Sequence, residues 1–316
     1  MTTVNEVKQS IYTYSYTKEE RFICKLEMRA FFGFDSESNI LETSVQVDPS
    51  RSPFMKERLD VLAEGSSIEE IIKKTEHIIF KEKTIKVVFI KNPSGESRSF
   101  SDRRDIEREV GFYLQGDVDL KEPEQLLGIM NLNGKWLFGA LFLSESVWFK
   151  HQQKPYEYST ALSTRMARSV VNIAVPDPVG LKVIDPCCGI GTVLIEASSM
   201  GIDIVGSDMN PKVMYGSQKN LAHFGYETTP VNLADMRKIS GDYDVAIIDM
   251  PYNLCSVITE EEQLEMFESA RSFAKKVLVV TIDPVDKFIS QAGFTIVDRC
   301  IATKNKTFFR EVLVCE

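Results

Sequence analysis

Four aspartates in the C-terminal half fall where an apolar strand gives way to a turn: Asp185, Asp208, Asp235 and Asp249. Asp185 opens the run D-P-C-C-G-I-G-T, in which a β-branched strand ends, a turn passes through Gly189 and Gly191, and an apolar helical pattern begins at Thr192. A strand, a tight glycine turn and a helix let backbone press against a nucleotide-like ligand. Several cofactors exploit such a turn, so the acids must choose between them. Asp208, after the second strand, can accept both ribose hydroxyls of an adenosine, which NAD and S-adenosylmethionine (SAM) share. Asp185 separates the two. An acid beside the turn would repel a pyrophosphate, whereas it suits the ammonium and sulfonium of SAM. Asp235 would then accept from the adenine amino group. Any one of these acids reads equally well as a helix cap or a solvated side chain; four in register do not. The expected cofactor is SAM, bound by Thr160, Asp185, Cys187, Gly189, Gly191, Thr192, Asp208, Met209, Asp235 and Met236, with no metal.

The stretch Asp249-Met250-Pro251-Tyr252 points to the acceptor. An exocyclic amine on a base is a poor nucleophile because its lone pair is delocalised into the ring. A hydrogen-bond acceptor on its N–H, with a backbone carbonyl held by a following proline, localises that lone pair toward a sulfonium methyl. Tyr252 can stack on an extruded base and face the cationic methyl. Asp249, Pro251 and Tyr252 are therefore the expected catalytic residues, in a displacement that needs positioning more than a strong base. The plainer alternative is a strand that merely ends at a proline turn. Guanine and adenine both remain open as targets.

These residues need a scaffold that aligns strand ends. Strands at 182–185, 202–207, 228–231, 245–249 and 276–281 alternate with helices at 192–200, 211–224, 260–274 and 284–292, which predicts a parallel sheet wrapped by helices. Strands at 294–301 and 307–315 have no helix between them and predict an antiparallel last pair. The expectation is an α/β, Rossmann-like sheet of seven strands over 151–316, led in by a helix at 161–175. Residues 1–150 mix a strand at 11–16, helices at 22–30, 68–79 and 101–114, a strand at 84–91, and a hairpin of 125–132 with 135–143 through Asn133-Gly134. Residues 35–39 with Pro49 and Pro53 read as breaks, and 116–123 as a turn-rich connection. This half predicts a separate α+β domain, its aromatic residues mostly core.

Length and composition fit two globular domains: 316 residues, 43% hydrophobic, 26% charged. The net charge of -9 argues against coating nucleic acid by bulk charge, but a local basic patch would suffice for RNA. Arg103, Arg104, Arg108, Lys154 and Arg165 are candidates for phosphate contact. No apolar run approaches the roughly 18 residues of a membrane span, and the opening residues lack the pattern of a secretory leader. The six cysteines form no C-x-x-C pair, so reduced thiols and a cytoplasmic location are expected.

Three motifs resemble one family. D-P-C-C-G-I-G-T-V-L-I-E-A, together with L-S-T-R-M-A-R-S-V-V-N-I-A before it, is similar to the cofactor region of the THUMP-containing tRNA guanosine-2-amino methyltransferases. Asp249 to Tyr252 resembles the D-P-P-Y signature of amino methyltransferases acting on bases, and G-D-V-D-L-K-E-P resembles the end of a THUMP RNA-binding domain. The resemblance is good over about residues 112–270 and weak before. It implies an N-terminal tRNA-docking domain and methylation of the 2-amino group of a guanosine, with guanosine 10 as the candidate position; separately, a monomer is expected. Met250 departs from the signature's proline and should loosen the turn; Cys187 stands where the general turn has a glycine, as the family allows. Adenine amino methylation in DNA or RNA, and a non-catalytic SAM- or RNA-binding module, are the alternatives.

Overall fold

A computed structural model describes residues 9–95, 97–251, 258–303 and 308–316. Its contacts divide the chain into two compact units. One comprises Met1–Ser15, Ser36–Ser50 and Phe54–Glu145, the other Tyr16–Asp35, Arg51–Pro53 and Ser146–Glu316. The last change of unit falls between Glu145 and Ser146. Helix α1 (Arg21–Phe32) and residues 51–53, however, pack with the C-terminal unit although they lie far upstream.

In the first unit, β1 (Ser10–Tyr14), β2 (Ile40–Thr43), β3 (Met55–Gly65), β4 (Ile79–Phe89), β5 (Gln115–Val118), β6 (Gln125–Leu132) and β7 (Lys135–Leu143) form a sheet in the order β2-β1-β3-β7-β6-β4-β5. Alternation in β6 and β7 sends Leu127, Ile129, Trp136 and Phe138 to one face, where α2 (Ile68–Thr75) and α3 (Phe100–Tyr113) add Ile71, Ile106 and Val110. Met130, Leu132, Leu137 and Leu141 go to the other face and meet Ile11 and Leu59. Asn133 and Gly134 adopt φ of 53° and 83°, as the two-residue hairpin requires.

Three expectations fail in this unit. Between the breaks at 35–39 and at Pro49 and Pro53 lies β2, and after them comes β3, a central strand that sequence pattern missed. Its alternation is hidden by Lys56, Glu57, Arg58, Asp60 and Glu64. Two of these charges neutralise each other: Arg58 Nε lies 2.9 Å from the buried Asp60, which also accepts from Ser10 Oγ at 2.7 Å. The guanidinium stacks 4.3 Å from the Phe142 ring. The turn-rich connection read at 116–123 instead begins within the exposed edge strand β5, parallel to β4. The helix at 68–79 stops at Thr75, and its last residues begin β4.

In the second unit, α4 (Thr164–Ala174) precedes β8 (Val183–Asp185), α5 (Thr192–Ser199), β9 (Ile204–Asp208), α6 (Pro211–His223), β10 (Val231–Leu233), β11 (Tyr243–Asp249), α7 (Glu260–Phe273), β12 (Ala274–Thr281), α8 (Asp286–Gln291), β13 (Ile296–Thr303) and β14 (Phe309–Cys315). The sheet runs β10-β9-β8-β11-β12-β14-β13. The first five strands are parallel, and β14 is antiparallel to both neighbours. Val245 to Ile248 and Val277 to Val280 are almost wholly buried, as continuous apolar runs in a sheet covered on both faces must be. The order reverses between β8 and β11, the crevice where such sheets take ligands.

Helix α1 packs on α4 and β13 through Ile23, Leu26 and Met28. Arg29 donates to both oxygens of Asp298, at 2.8 and 2.9 Å. Beneath it, the buried Glu27 accepts from Asn172 Nδ2 at 2.6 Å and Ser52 Oγ at 2.8 Å. Burial outweighs these bonds and pushes its carboxyl from 4.5 up to about 7. A raised folded-state value gives stability that is complete below the unfolded value and lost as pH rises through about 7. The loss corresponds to roughly 3 kcal/mol. Glu27→Gln is expected to flatten the fall in melting temperature between about pH 4.5 and 7; an unchanged slope would assign that fall to another group.

Candidate active site

The carboxyl ends of β8, β9 and β11, with the turn after β10, surround a cleft of about 320 Å³ in the second unit. Thr160, Asp185, Cys187, Gly189, Thr192, Asp208, Met209, Asp235, Met236, Asp249 and Pro251 all line it. Tyr252 lies outside the described residues. Gly191 acts from behind. Its φ of +80° starts α5, and a Cβ there would stand 2.4 Å from Ser217 Oγ, so only glycine allows both the turn and the approach of α6.

Asp185 is 2% exposed and accepts from the Cys187 N–H at 3.1 Å. Burial pushes its carboxyl well above the usual range despite that bond, and the charges of Asp249 and Asp208 add to the rise. A buried acid of this kind calls for a cation. Asp208 knits the turn: its two oxygens accept from Gly189 N at 2.9 Å and Asn210 N at 2.8 Å, while the side chain still lines the cleft. Thr192 Oγ1 is buried with no hydrogen-bond partner among the described residues, which a ligand acceptor would satisfy. Methyltransferases of this fold use SAM, and the cleft's buried acid, ribose-height acid and orphaned hydroxyl fit that group.

Asp235 caps the turn at Met236–Lys238, but its carboxylate is gripped by Arg237, through Nη2 at 2.8 Å and Nε at 3.1 Å. Arg237 holds it below the usual range and reaches on to Glu265 at 3.1 Å. Pattern reading missed Arg237, since an arginine two residues beyond an acid carries no distinctive signal. It also missed Asn220, which binds Tyr156 through N (3.0 Å) and O (2.9 Å) and Ile190 O at 3.0 Å. That one buried amide fastens α6 to the glycine turn and to the segment before α4.

Asp249 ends β11, opposite Val280 of β12. Met250 is held by its own backbone. Its N–H donates to Val280 O at 2.8 Å, which a proline cannot do, and its side chain joins the core with Ile248 and Met266. Met250→Pro restores the family signature yet is expected to cost about 3 kcal/mol from a lost ladder bond and a core void. Denaturant unfolding would read it, and a neutral result would mean that the turn is held otherwise.

The basic residues nominated for phosphate are mostly engaged. Arg104 pairs with Glu107 (2.8 Å), Arg108 with Asp105 (3.0 Å) and Arg165 with Glu20 (2.6 Å). Arg103 donates to Ser99 O. Lys154 is half-buried, donates to His151 O, and has its ammonium pushed down by desolvation. Cys24, Cys187, Cys188, Cys300 and Cys315 are free thiols, and Cys255 lies outside the described residues. Among the described residues no cluster suits a metal, and no helix is long and apolar enough to cross a membrane.

The sheet order is that of a Rossmann-like methyltransferase fold, with the cleft at the carboxyl ends of its strands. Residues 151–281 match UPF0020, described as an RMKL-like methyltransferase domain. The chain is similar to the tRNA (guanine(10)-N2)-dimethyltransferase of Methanothermobacter thermautotrophicus, 28% identical over 52% of this chain and 52% of that protein. Its counterpart in Pyrococcus abyssi is 22% identical over 66% of each. A mouse U6 snRNA (guanine-N(2))-methyltransferase, THUMPD2, is 30% identical over 31% of this chain and 20% of its own. The matched stretch thus spans about half of the first relative's length. The solved structure of TrmN from Thermus thermophilus covers 98% of this chain and 99% of its own at 17% identity, with a TM-score of 0.49.

Proposed function

We propose that the chain is a SAM-dependent methyltransferase acting on the exocyclic 2-amino group of a guanosine in tRNA, guanosine 10 being the candidate position. The observation that carries this reading is the position of Asp249 and Pro251 on the same cleft as Asp185 and Asp208. One rim offers a site for a cationic adenosine cofactor, the other an acceptor for an amine. The names of the relatives support guanine over adenine.

SAM would supply an electrophilic methyl group. Asp208 would take its ribose hydroxyls, Asp185 and Thr192 its methionine end, and Asp235, oriented by Arg237, its adenine amino group. Asp249 accepts the N–H of the target amine and the proton that the amine gives up. The carbonyl before Pro251 accepts a second N–H, and Tyr252 is assigned to stack on the base. The first unit is assigned to tRNA docking as a THUMP-like domain, in a cytoplasmic monomer.

The test is methylation of unmodified tRNA with labelled SAM, followed by nuclease digestion and nucleoside mass spectrometry. N(2)-methylguanosine, once or twice methylated, is the expected product. N(6)-methyladenosine would establish the adenine alternative. SAM binding without any methylated nucleoside would establish a non-catalytic module.

A further inference from the structure

Resting on that reading, we propose that the outer face of α6, with Tyr156 packed against it, docks the RNA strand flanking the target nucleotide. The bases stack on two tyrosines while lysines take the phosphates. In a chain of net charge -9, the thirteen residues of α6 include no acid. Lys212, Tyr215 and Lys219 share its exposed face, and Gly216, Ser217, Asn220 and Leu221 are buried. Tyr215 is 53% and Tyr156 41% exposed. Their rings stand 5.8 Å apart at 89°, an aromatic corner, and Lys219 Nζ lies 5.4 Å from the Tyr215 centroid.

Three features distinguish this face from an ordinary solvated one. Asn220 ties Tyr156 by backbone N and O, so the platform is already ordered and stacking on it costs little entropy. Lys212 and Lys219 make no ion pair among the described residues, unlike Arg104, Arg108 and Arg165; the exposed Glu157 is the acid next to Tyr156 in sequence. The face is also continuous with the cleft, because Met209 and Asn210, just ahead of α6, and Tyr158 line the cavity. Aromatic faces beside unpaired cations are the combination that binds single strands with little regard to sequence.

The test is fluorescence anisotropy of labelled tRNA, measured without methyl transfer, alongside calorimetry with S-adenosylhomocysteine. Tyr215→Ala is expected to weaken RNA binding roughly ten-fold, and Tyr215→Phe, which keeps the ring, to restore it. Lys219→Ala should reduce the salt dependence by about one phosphate contact. Cofactor affinity, and kcat at saturating RNA, stay at the wild-type level. Wild-type RNA affinity in both alanine variants overturns the docking surface and leaves the enzyme reading intact. A wild-type protein that binds no RNA overturns both.

Discussion

Replacing Asp249 by alanine is expected to slow methyl transfer by about 10² to 10⁴-fold, the range for losing a positioned proton acceptor. Affinity for S-adenosylhomocysteine should hold. The lone pair of a base amine is shared with its ring, and an acceptor on one N–H reverses part of that sharing. Asp249 is placed for this by β11, whose pairing with β12 fixes its backbone up to the turn. The charge of Asp249 helps raise the Asp185 carboxyl, so its removal makes Asp185 easier to ionise. Asn at 249 keeps an acceptor oxygen without the charge and should fall between the two. Labelled-methyl transfer and calorimetry would measure these effects; full turnover by Asp249→Ala would refute the role.

The second large effect lies behind the cleft. Arg168→Ala is expected to destabilise the second unit by about 3–5 kcal/mol. Arg168 donates to Glu196 Oε2 at 2.8 Å, Ser199 Oγ at 3.0 Å and Arg51 O at 2.7 Å. Glu196, 0% exposed in α5, also meets His151 Nδ1 at 2.7 Å. Truncating the arginine strands a carboxylate where water does not reach, and that cost exceeds the value of the pair itself. Arg168→Met with Glu196→Leu, which removes both charges at similar volume, should recover most of the loss. Urea unfolding would compare the three proteins; a loss under about 1 kcal/mol for Arg168→Ala would mean the site is wetter than its burial implies.

The second unit was legible because its strands are apolar runs bounded by glycines and acids. Asp185, Asp208 and Asp249 advertise strand ends, and the structure brings all three to one cleft. What stayed hidden has a common cause: residues whose meaning depends on a distant partner. β3 reads as a charged loop until Asp60 meets Ser10 and Arg58. Asn220 and Arg237 look like surface polar residues until Tyr156 and Glu265 come beside them. Glu196 and Arg168 sat inside recognised motifs, but a motif does not announce a buried ion pair. Met250 carries a backbone bond to Val280 that a proline there could not make, and nothing in the sequence marks it.

Helix α1 carries a consequence for the order in which the protein can be built. Asp298, the carboxylate that Arg29 grips, follows it by 269 residues. At ribosomal rates of about 5–20 residues per second, roughly 15 to 50 s separate their emergence. α4 begins 135 residues after Arg29, so for about the first half of that interval α1 has neither α4 nor β13 to cover it, and β13 comes only at the end, after the strands of the first unit are complete. Helix α1 thus settles later than the strands that follow it in the first unit, and a chaperone that shields Ile23, Leu26 and Phe31 during synthesis would act when it is most exposed.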